Sequence, residues 1–166
     1  IDVMAFQDSS TQVRTLEVSS LEGTGVIAMR TTLYTDDEGV ETSITPDLVI
    51  DHSGSSEFAG VIKGTGDVTK QGAGHLQISN AQTFTGDFAV SEGHVETLAG
   101  GTFADIISIQ VASGAQMTVR QDDTINKVTV DAGATYTQDA DVTTTTGFVQ
   151  NGDLNVVSNV TLTTGT

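Results

Sequence analysis

The clearest pattern in the chain is a short apolar–polar alternation that ends repeatedly in a glycine turn. A valine with a glycine three positions later recurs in four segments, 90–93, 111–114, 130–133 and 149–152, and in three of them an apolar residue stands two positions before the valine. Two positions before the valine stand Phe88, Ile109 and Val128 in the first three segments, and Gly147 in the fourth. This alternation predicts strands with one buried face, each followed by a turn.

The same period extends toward the N-terminus, because Gly54, Gly74 and Gly93 follow one another at nearly the same spacing as the later glycines. Glycine at these points predicts a sharp bend with positive φ, where a Cβ atom would be penalised. Propeller blades are about twice as long, and the leucine and asparagine positions of leucine-rich repeats are absent. We therefore predict an all-β fold, a parallel β-helix with coils of about 19–21 residues. Each coil supplies about three short strands, and successive coils stack about 4.8 Å apart.

The N-terminal third is less regular but carries three further strand patterns, at residues 16–18, 26–30 and 48–50. An acidic, turn-rich stretch separates the second from the third, and we interpret residues 34–45 as a loop that protrudes from one coil. Its acidic side chains are the candidate contact residues Asp36, Asp37, Glu38 and Glu41. No linker or shift in composition divides the chain, so we expect a single domain over residues 1–166.

Charge and composition exclude several functions. Six Lys and Arg against 22 Asp and Glu give a formal net charge of −16, which excludes a nucleic-acid binder that acts through a basic surface. The chain has no Cys, so it forms no disulfide and no thiolate metal site. No apolar run reaches 18 residues, so we expect no direct membrane insertion. With no N-terminal Met, signal peptide or terminating motif, the sequence is expected to be a piece of a longer protein.

Residues 58–95 carry a longer and more specific pattern. They read FAGVIKGTG at 58–66, VTKQGAGHLQI at 68–78, SNAQTFTG at 79–86 and FAVSEG at 88–93. This order closely resembles the passenger-associated repeat of bacterial autotransporters. The departures are modest, since residues 80–82 replace the usual Gly-x-Asn run and Phe84 stands where Tyr is more common. More loosely, LEGTGVIAMRT at 21–31 and TPDLVI at 45–50 are similar to coils of pertactin-like passengers.

The resemblance implies a right-handed β-helix that is secreted through its own outer-membrane barrel and displayed extracellularly on a Gram-negative cell surface. Barrel and signal peptide would lie outside this stretch. Many passengers of this family are adhesins or self-associating proteins that act in virulence and biofilm formation. Others carry a protease or esterase domain on a β-helical stalk.

Two histidine-containing clusters suggest chemistry but also have a plain structural interpretation. Asp51, His52 and Ser53 are the three residue types of a catalytic triad, yet neighbours on a strand face opposite ways and are not expected to converge. His75 and His94 follow turn glycines one coil apart, so stacked coils bring them close together. We favour a surface stack over a shared metal ion, because a metal site needs further ligands and the next coil offers an alanine.

The remaining acidic residues form no catalytic pattern. They include Asp122 and Asp123 in a connection between strands, and Asp139, Asp141 and Asp153 along the last coils. A solvated face is the favoured interpretation, weak calcium bridging is the alternative, and no pair of carboxylates stands out as a general acid and base. Thr135, Thr137 and residues 143–146 predict an uncharged polar face. Such a face can pair with sugars or with a copy of itself through many weak hydrogen bonds, and a simple solvated β-face is the alternative.

We therefore expect an adhesin segment rather than an enzyme, with no cofactor, no catalytic residue and no metal site. Its partners would be a host surface protein or glycan, or a sister molecule. The alternative is an inert stalk that spaces an enzymatic domain encoded elsewhere in the polypeptide.

Overall fold

In the computed structural model the chain is a stack of short strands. The structure describes residues 15–157 in full and, beyond them, the backbone of residues 2–4, 7–8, 11–12 and 162–164. The strands are β1 (Asp2–Met4), β2 (Gln7–Asp8), β3 (Thr11–Gln12), β4 (Thr15–Val18), β5 (Val26–Arg30), β6 (Thr32–Thr35), β7 (Glu41–Ile44), β8 (Asp47–Asp51), β9 (Ser55–Phe58), β10 (Val61–Gly64), β11 (Val68–Gln71), β12 (His75–Ile78), β13 (Thr83–Phe84), β14 (Asp87–Val90), β15 (His94–Thr97), β16 (Ser108–Val111), β17 (Gln116–Val119), β18 (Asp123–Val130), β19 (Thr135–Gln138), β20 (Val142–Gln150), β21 (Asp153–Val156) and β22 (Leu162–Thr164). No helix occurs among these residues.

The strands form three parallel sheets that the chain visits in turn. Sheet 1 has the order β22-β20-β18-β16-β14-β11-β8-β4, sheet 2 the order β21-β19-β17-β15-β12-β9, and sheet 3 the order β1-β5-β10-β13. One coil therefore consists of a sheet 1 strand, a sheet 2 strand and a sheet 3 strand, as in β8, β9 and β10. The all-β class, the parallel pairing and the β-solenoid of stacked coils are confirmed, as are the strands expected near residues 16–18, 26–30 and 48–50.

Strand register confirms the predicted period. Leu48 pairs with Val68, which pairs with Phe88, which pairs with Ile109, which pairs with Val128, so each step along this series is one coil. All five of these side chains are at most 2% exposed, and they form an apolar column along the interior. Burying one such side chain stabilises the fold by about 1.5–3 kcal/mol relative to leaving it in water.

The six periodic glycines all lie between a sheet 1 strand and a sheet 2 strand, but their backbone conformation and surroundings differ. Positive φ occurs at Gly93 (72°), Gly114 (83°) and Gly133 (83°), as the pattern predicts. Gly74 and Gly152 have no positive φ; a Cβ there would collide with backbone carbonyls of the preceding coil. The expectation of positive φ is therefore wrong for three of the six. Close approach of the preceding coil requires glycine at Gly74 and Gly152, whereas a Cβ at Gly54 would meet only the His52 ring at 3.6 Å, an ordinary contact distance.

In the last full coil, the strand pairing is shifted by one residue from the pairing that the repeat predicts. Val128 pairs with Phe148, not Gly147, because the register between β18 and β20 shifts after Ile125. A bulge of this kind adds one residue to a strand and turns every later side chain to the other face. Val149 accordingly pairs with Thr129 and is 42% exposed, although its place in the repeat predicts burial.

One insertion interrupts the coil period within residues 15–157, and a loop without a strand takes the place of sheet 3 in a later coil. Leu16 pairs with Leu48 across more than one coil period, because the antiparallel hairpin of β6 and β7 is inserted between β5 and β8. The loop between β15 and β16 keeps the coil period, because Phe88 pairs with Ile109 one coil later. Its Phe103 is buried and stacks on Phe88 with ring centroids 5.1 Å apart. This loop fills the interior where sheet 3 ends at β13.

Candidate functional site

The first candidate site is the hairpin of β6 and β7, which leaves the coil stack. It pairs in antiparallel register from Thr32 opposite Ile44 toward its turn. Ile44 is buried, whereas Leu33 is 70% exposed and Val40 is 54% exposed. The hairpin therefore presents apolar side chains to solvent, a feature common at contact surfaces and of no benefit to the folded coil itself.

The four predicted contact residues lie at the turn of this hairpin and differ in role. Asp36 is half-buried, and its Oδ1 accepts hydrogen bonds from the backbone N–H of Glu38 at 3.0 Å and of Val40 at 2.8 Å. These bonds make Asp36 the residue that shapes the turn. Asp37, Glu38 and Glu41 are exposed, so their carboxylates are free to meet a partner.

The base of the hairpin is tied to the coil stack by threonine hydroxyls. Thr31 Oγ1 lies 2.7 Å from Thr45 Oγ1, and a longer contact of 3.4 Å joins it to Thr65 Oγ1 in the next coil. The two chain ends that enter and leave the hairpin are thus held together independently of the hairpin strands.

The second candidate site is a polar cluster on the outer face of sheet 2. His75 and His94 are register partners, and their rings stack with centroids 4.4 Å apart and planes 5° apart. His94 Nε2 lies 2.9 Å from Thr118 Oγ1 on the following coil. The expected stack between adjacent coils is therefore present.

Glu96 is the centre of this cluster, although it belongs to an outward-facing column. Its Oε2 accepts a hydrogen bond from Gln77 Nε2 at 2.9 Å and lies 3.1 Å from His75 Nε2, while its Oε1 accepts from Arg120 Nε. Arg120 also reaches Asp139, with Nη1 3.2 Å from Oδ2. The Glu96 side chain is only 8% exposed, because its neighbours cover it from both sides.

Burial and charge shift the pKa values of two groups in the cluster. Burial alone would raise the pKa of Glu96, but the hydrogen bonds from Gln77 and Arg120 outweigh it and hold that pKa below its ordinary value. Burial lowers the pKa of His94, and the neighbouring His75 lowers it further against the opposing pull of Glu96. Glu96 is therefore ionised and His94 neutral near pH 7.

Sequence reasoning missed Gln77, Glu96 and Arg120, although the period contained a signal. Gln77 and Glu96 are one coil period apart, as are His75 and His94, and both pairs are register partners on the same two strands. The coil period alone therefore places the amide beside the carboxylate. Arg120 reaches the cluster only through its long side chain, which no pattern of spacing specifies.

The other residues considered from the sequence do not converge. Asp51 and Ser53 are exposed, whereas His52 between them is 5% exposed and points inward. Asp123 is not on a solvated face, because it is only 8% exposed and accepts backbone hydrogen bonds from Phe103 at 2.7 Å and Thr124 at 2.8 Å. Burial raises its pKa to about 6, against the lowering effect of these two hydrogen bonds.

The late acidic and threonine residues are dispersed over the last coils. Asp141 and Asp153 are exposed, and Asp139 is engaged by Arg120 as described above. Thr144 is fully buried and so lies outside the expected polar face. Thr145 and Thr146 are exposed and bond through their hydroxyls to Asn126 of the preceding coil.

Between residues 15 and 157, no group of three or more histidine and acidic side chains is arranged to hold a metal ion. The part of the chain that the structure describes also has no helix long and apolar enough to cross a membrane.

Comparison with known proteins leaves the family open. The chain matches no protein-family model, no curated protein and no solved structure at a significant level. The fold and the two candidate sites are therefore the observations on which a function must be argued.

Proposed function

We propose that this chain is a segment of an autotransporter passenger that makes adhesive contacts outside a Gram-negative cell. The observation that carries the proposal is the hairpin of β6 and β7, which exposes Leu33 and Val40 beside the carboxylates of Asp37, Glu38 and Glu41. The motif at residues 58–95 supports the family, and the β-solenoid supports the architecture. A rigid coil stack that carries one inserted hairpin is suited to presenting that hairpin at a fixed position.

The partner chemistry follows from the composition of the hairpin. A hairpin that exposes apolar side chains and carboxylates fits a partner that offers an apolar depression together with basic or hydroxyl groups, such as a host surface protein, a glycan or a sister molecule. The net charge of −16 disfavours close approach of two identical copies at low salt. A host surface is therefore the favoured partner, and self-association requires screening by salt.

The test compares two matched substitutions of exposed aliphatic residues. Leu33→Ser removes a 70% exposed leucine of β6 in the hairpin, whereas Ile107→Ser removes a 55% exposed isoleucine of the loop between β15 and β16. Binding of the labelled chain is measured on epithelial cells, on glycan-coated beads and on beads coated with the chain itself. We expect Leu33→Ser to weaken binding to one of these surfaces about tenfold, the equivalent of about 1.4 kcal/mol, and Ile107→Ser to leave it unchanged.

Equal binding of both variants and the wild type would overturn the hairpin as the contact. No binding of the wild-type chain to any surface would favour the inert stalk. The same assay with calcium and with chelator separates calcium-bridged contacts from direct ones.

A further inference from the structure

Lys70 occupies an unusual position for a lysine, inside the coil stack. It lies on β11 at an inward position of sheet 1, in register with Ile50 on one side and Val90 on the other. All three side chains are 0% exposed. Lysine is almost never fully buried without partners for its ammonium group, so the position calls for a compensating site.

Backbone carbonyls supply that compensation. Lys70 Nζ donates hydrogen bonds to Gln71 O at 2.8 Å and Gly72 O at 2.7 Å, with longer contacts of 3.4 Å to His52 O and Glu92 O. These carbonyls belong to the corner between sheets 1 and 2, and they come from three successive coils. The aliphatic stem fills the apolar column while the ammonium reaches the corner.

Other backbone donors serve two of these four carbonyls as well. Gly74 N donates to His52 O at 2.8 Å, and His52 N donates to Gln71 O at 3.0 Å. Within residues 15–157, Lys70 is the donor that reaches the carbonyls of Gly72 and Glu92. Loss of the ammonium would leave these two carbonyls without a hydrogen-bond partner inside the coil stack.

The charged surroundings act in both directions. Burial lowers the pKa of Lys70, while the nearby charges of Asp51 and Glu92 oppose that shift. The carbonyl contacts, like these two acids, favour the charged form of the side chain. A neutral amine would keep the stem packing but would lose much of the attraction to the carbonyl oxygens.

The corner that Lys70 fills leads directly into the histidine stack on the outer face. His75 N donates to Gly54 O at 2.7 Å, and His94 N donates to Gly74 O at 3.0 Å, so both strands begin immediately after the corner. A shift of one corner relative to the next would move one imidazole relative to the other. The relative position of the two rings thus depends on how the three corners are held together.

The geometry points to a carbonyl-lined ammonium site, filled from the inside by Lys70, that joins the corners of three coils and positions the His75–His94 stack on the outside. This role makes Lys70 a positioning residue for the outer cluster. It does not depend on the adhesive function, because both of its consequences are measured on the isolated chain.

The first test looks for the buried ammonium group in the wild-type chain and assigns it by substitution. Proton–nitrogen NMR of uniformly labelled wild-type chain at pH 7 detects lysine ammonium groups only when burial and hydrogen bonding slow their hydrogen exchange. The chain has three lysines, and Lys63 and Lys127 are exposed. We expect one ammonium signal, lost in Lys70→Met and retained in Lys63→Met and Lys127→Met. The rate at which an amine-reactive reagent acylates each lysine gives a second measurement. If Lys70 is acylated as fast as Lys63 and Lys127, and no slowly exchanging ammonium signal is seen, the site is overturned.

The second test concerns positioning and uses small ammonium ions. Lys70→Ala should unfold at lower temperature than the wild type, and propylammonium should restore part of the loss where propanol at equal concentration does not. In Lys70→Met, the ring-proton NMR shifts that the His75–His94 stack produces should collapse toward those of free histidine. Equal rescue by propanol would reduce Lys70 to a packing role, and unchanged histidine shifts would contradict the positioning role. If neither variant folds, the wild-type ammonium signal and the acylation rates still decide the site.

Discussion

At the scale of single residues, the polar side chains inside the coil stack carry the most information. The interior is formed by columns such as Leu48, Val68 and Phe88, each in register with its neighbour on the next coil. Lys70 and Asp123 are buried in that apolar environment and are kept there by backbone hydrogen bonds. Each therefore links a local protonation state to the stability of its coil.

Asp123 gives a pH dependence whose sign is fixed by its pKa. Burial raises that pKa from 3.8 to about 6, so the folded chain prefers the protonated acid. The contribution to stability is fully present below pH 3.8 and is lost as the pH rises through about 6, by about 3 kcal/mol in total. Denaturant unfolding of the wild type and of Asp123→Asn between pH 4 and 7.5 measures this difference.

We expect the unfolding free energy of the wild type to fall relative to Asp123→Asn across that range. The exposed Asp105→Asn is the matched control and should follow the wild type. Parallel curves for the wild type and Asp123→Asn would show that the buried carboxyl is not the titrating group.

The sequence predicts the apolar columns well and the polar interior poorly. Alternation repeated at the coil period is a strong signal for Phe88, Ile109 and Val128, because burial requires apolar side chains at regular intervals. The spacing of Lys70 predicts an inward position, whereas its charge predicts an exposed one. The side chain can be buried because backbone carbonyls bind its ammonium group. Glu96 shows the converse, an outward position that its neighbours cover.

At the scale of elements, the hairpin and the bulge are the departures from the repeat. The sequence predicts a loop at residues 34–45; the structure shows β7 there, paired with β6 from residue 32 onward. The bulge in β20 could not be predicted, because one extra threonine in the run 143–146 leaves the composition of the strand unchanged. A repeat period cannot predict such elements; they are found only where the sequence departs from the period.

The hairpin should be removable without loss of the fold. Deleting residues 32–44 would leave the register partners Leu16 and Leu48 one ordinary coil period apart. Thr31 and Thr45 already lie together, with hydroxyl oxygens 2.7 Å apart. We expect the melting temperature of the deletion variant to stay within about 4 °C of the wild type, the change that about 1 kcal/mol would produce in a domain of this size.

A matched deletion tests whether this tolerance is specific. Removing residues 99–105 from the loop between β15 and β16 takes out Phe103, which stacks on Phe88 inside the coil. That variant should lose far more stability, because loss of a buried phenylalanine side chain costs about 3–5 kcal/mol. If the two deletions are equally harmful, the hairpin is part of the folding unit and not an appendage.

At the scale of the whole molecule, the protein is a stack of parallel coils from which the β6–β7 hairpin projects. Each coil contacts only its neighbours through parallel strands, so the stack holds its loops in fixed relative positions. Charges on the outer faces, with a net charge of −16, oppose non-specific association of the stack.

The proposed adhesive role of the hairpin is best tested by measuring how the wild-type chain and the residue 32–44 deletion variant bind to the same epithelial cell surfaces. Both are first shown to be folded by far-ultraviolet circular dichroism. We expect the wild type to bind saturably and the deletion variant to bind with at least tenfold lower affinity. Undiminished binding of the folded deletion variant would contradict that role and would move the contact to the faces of the coil stack.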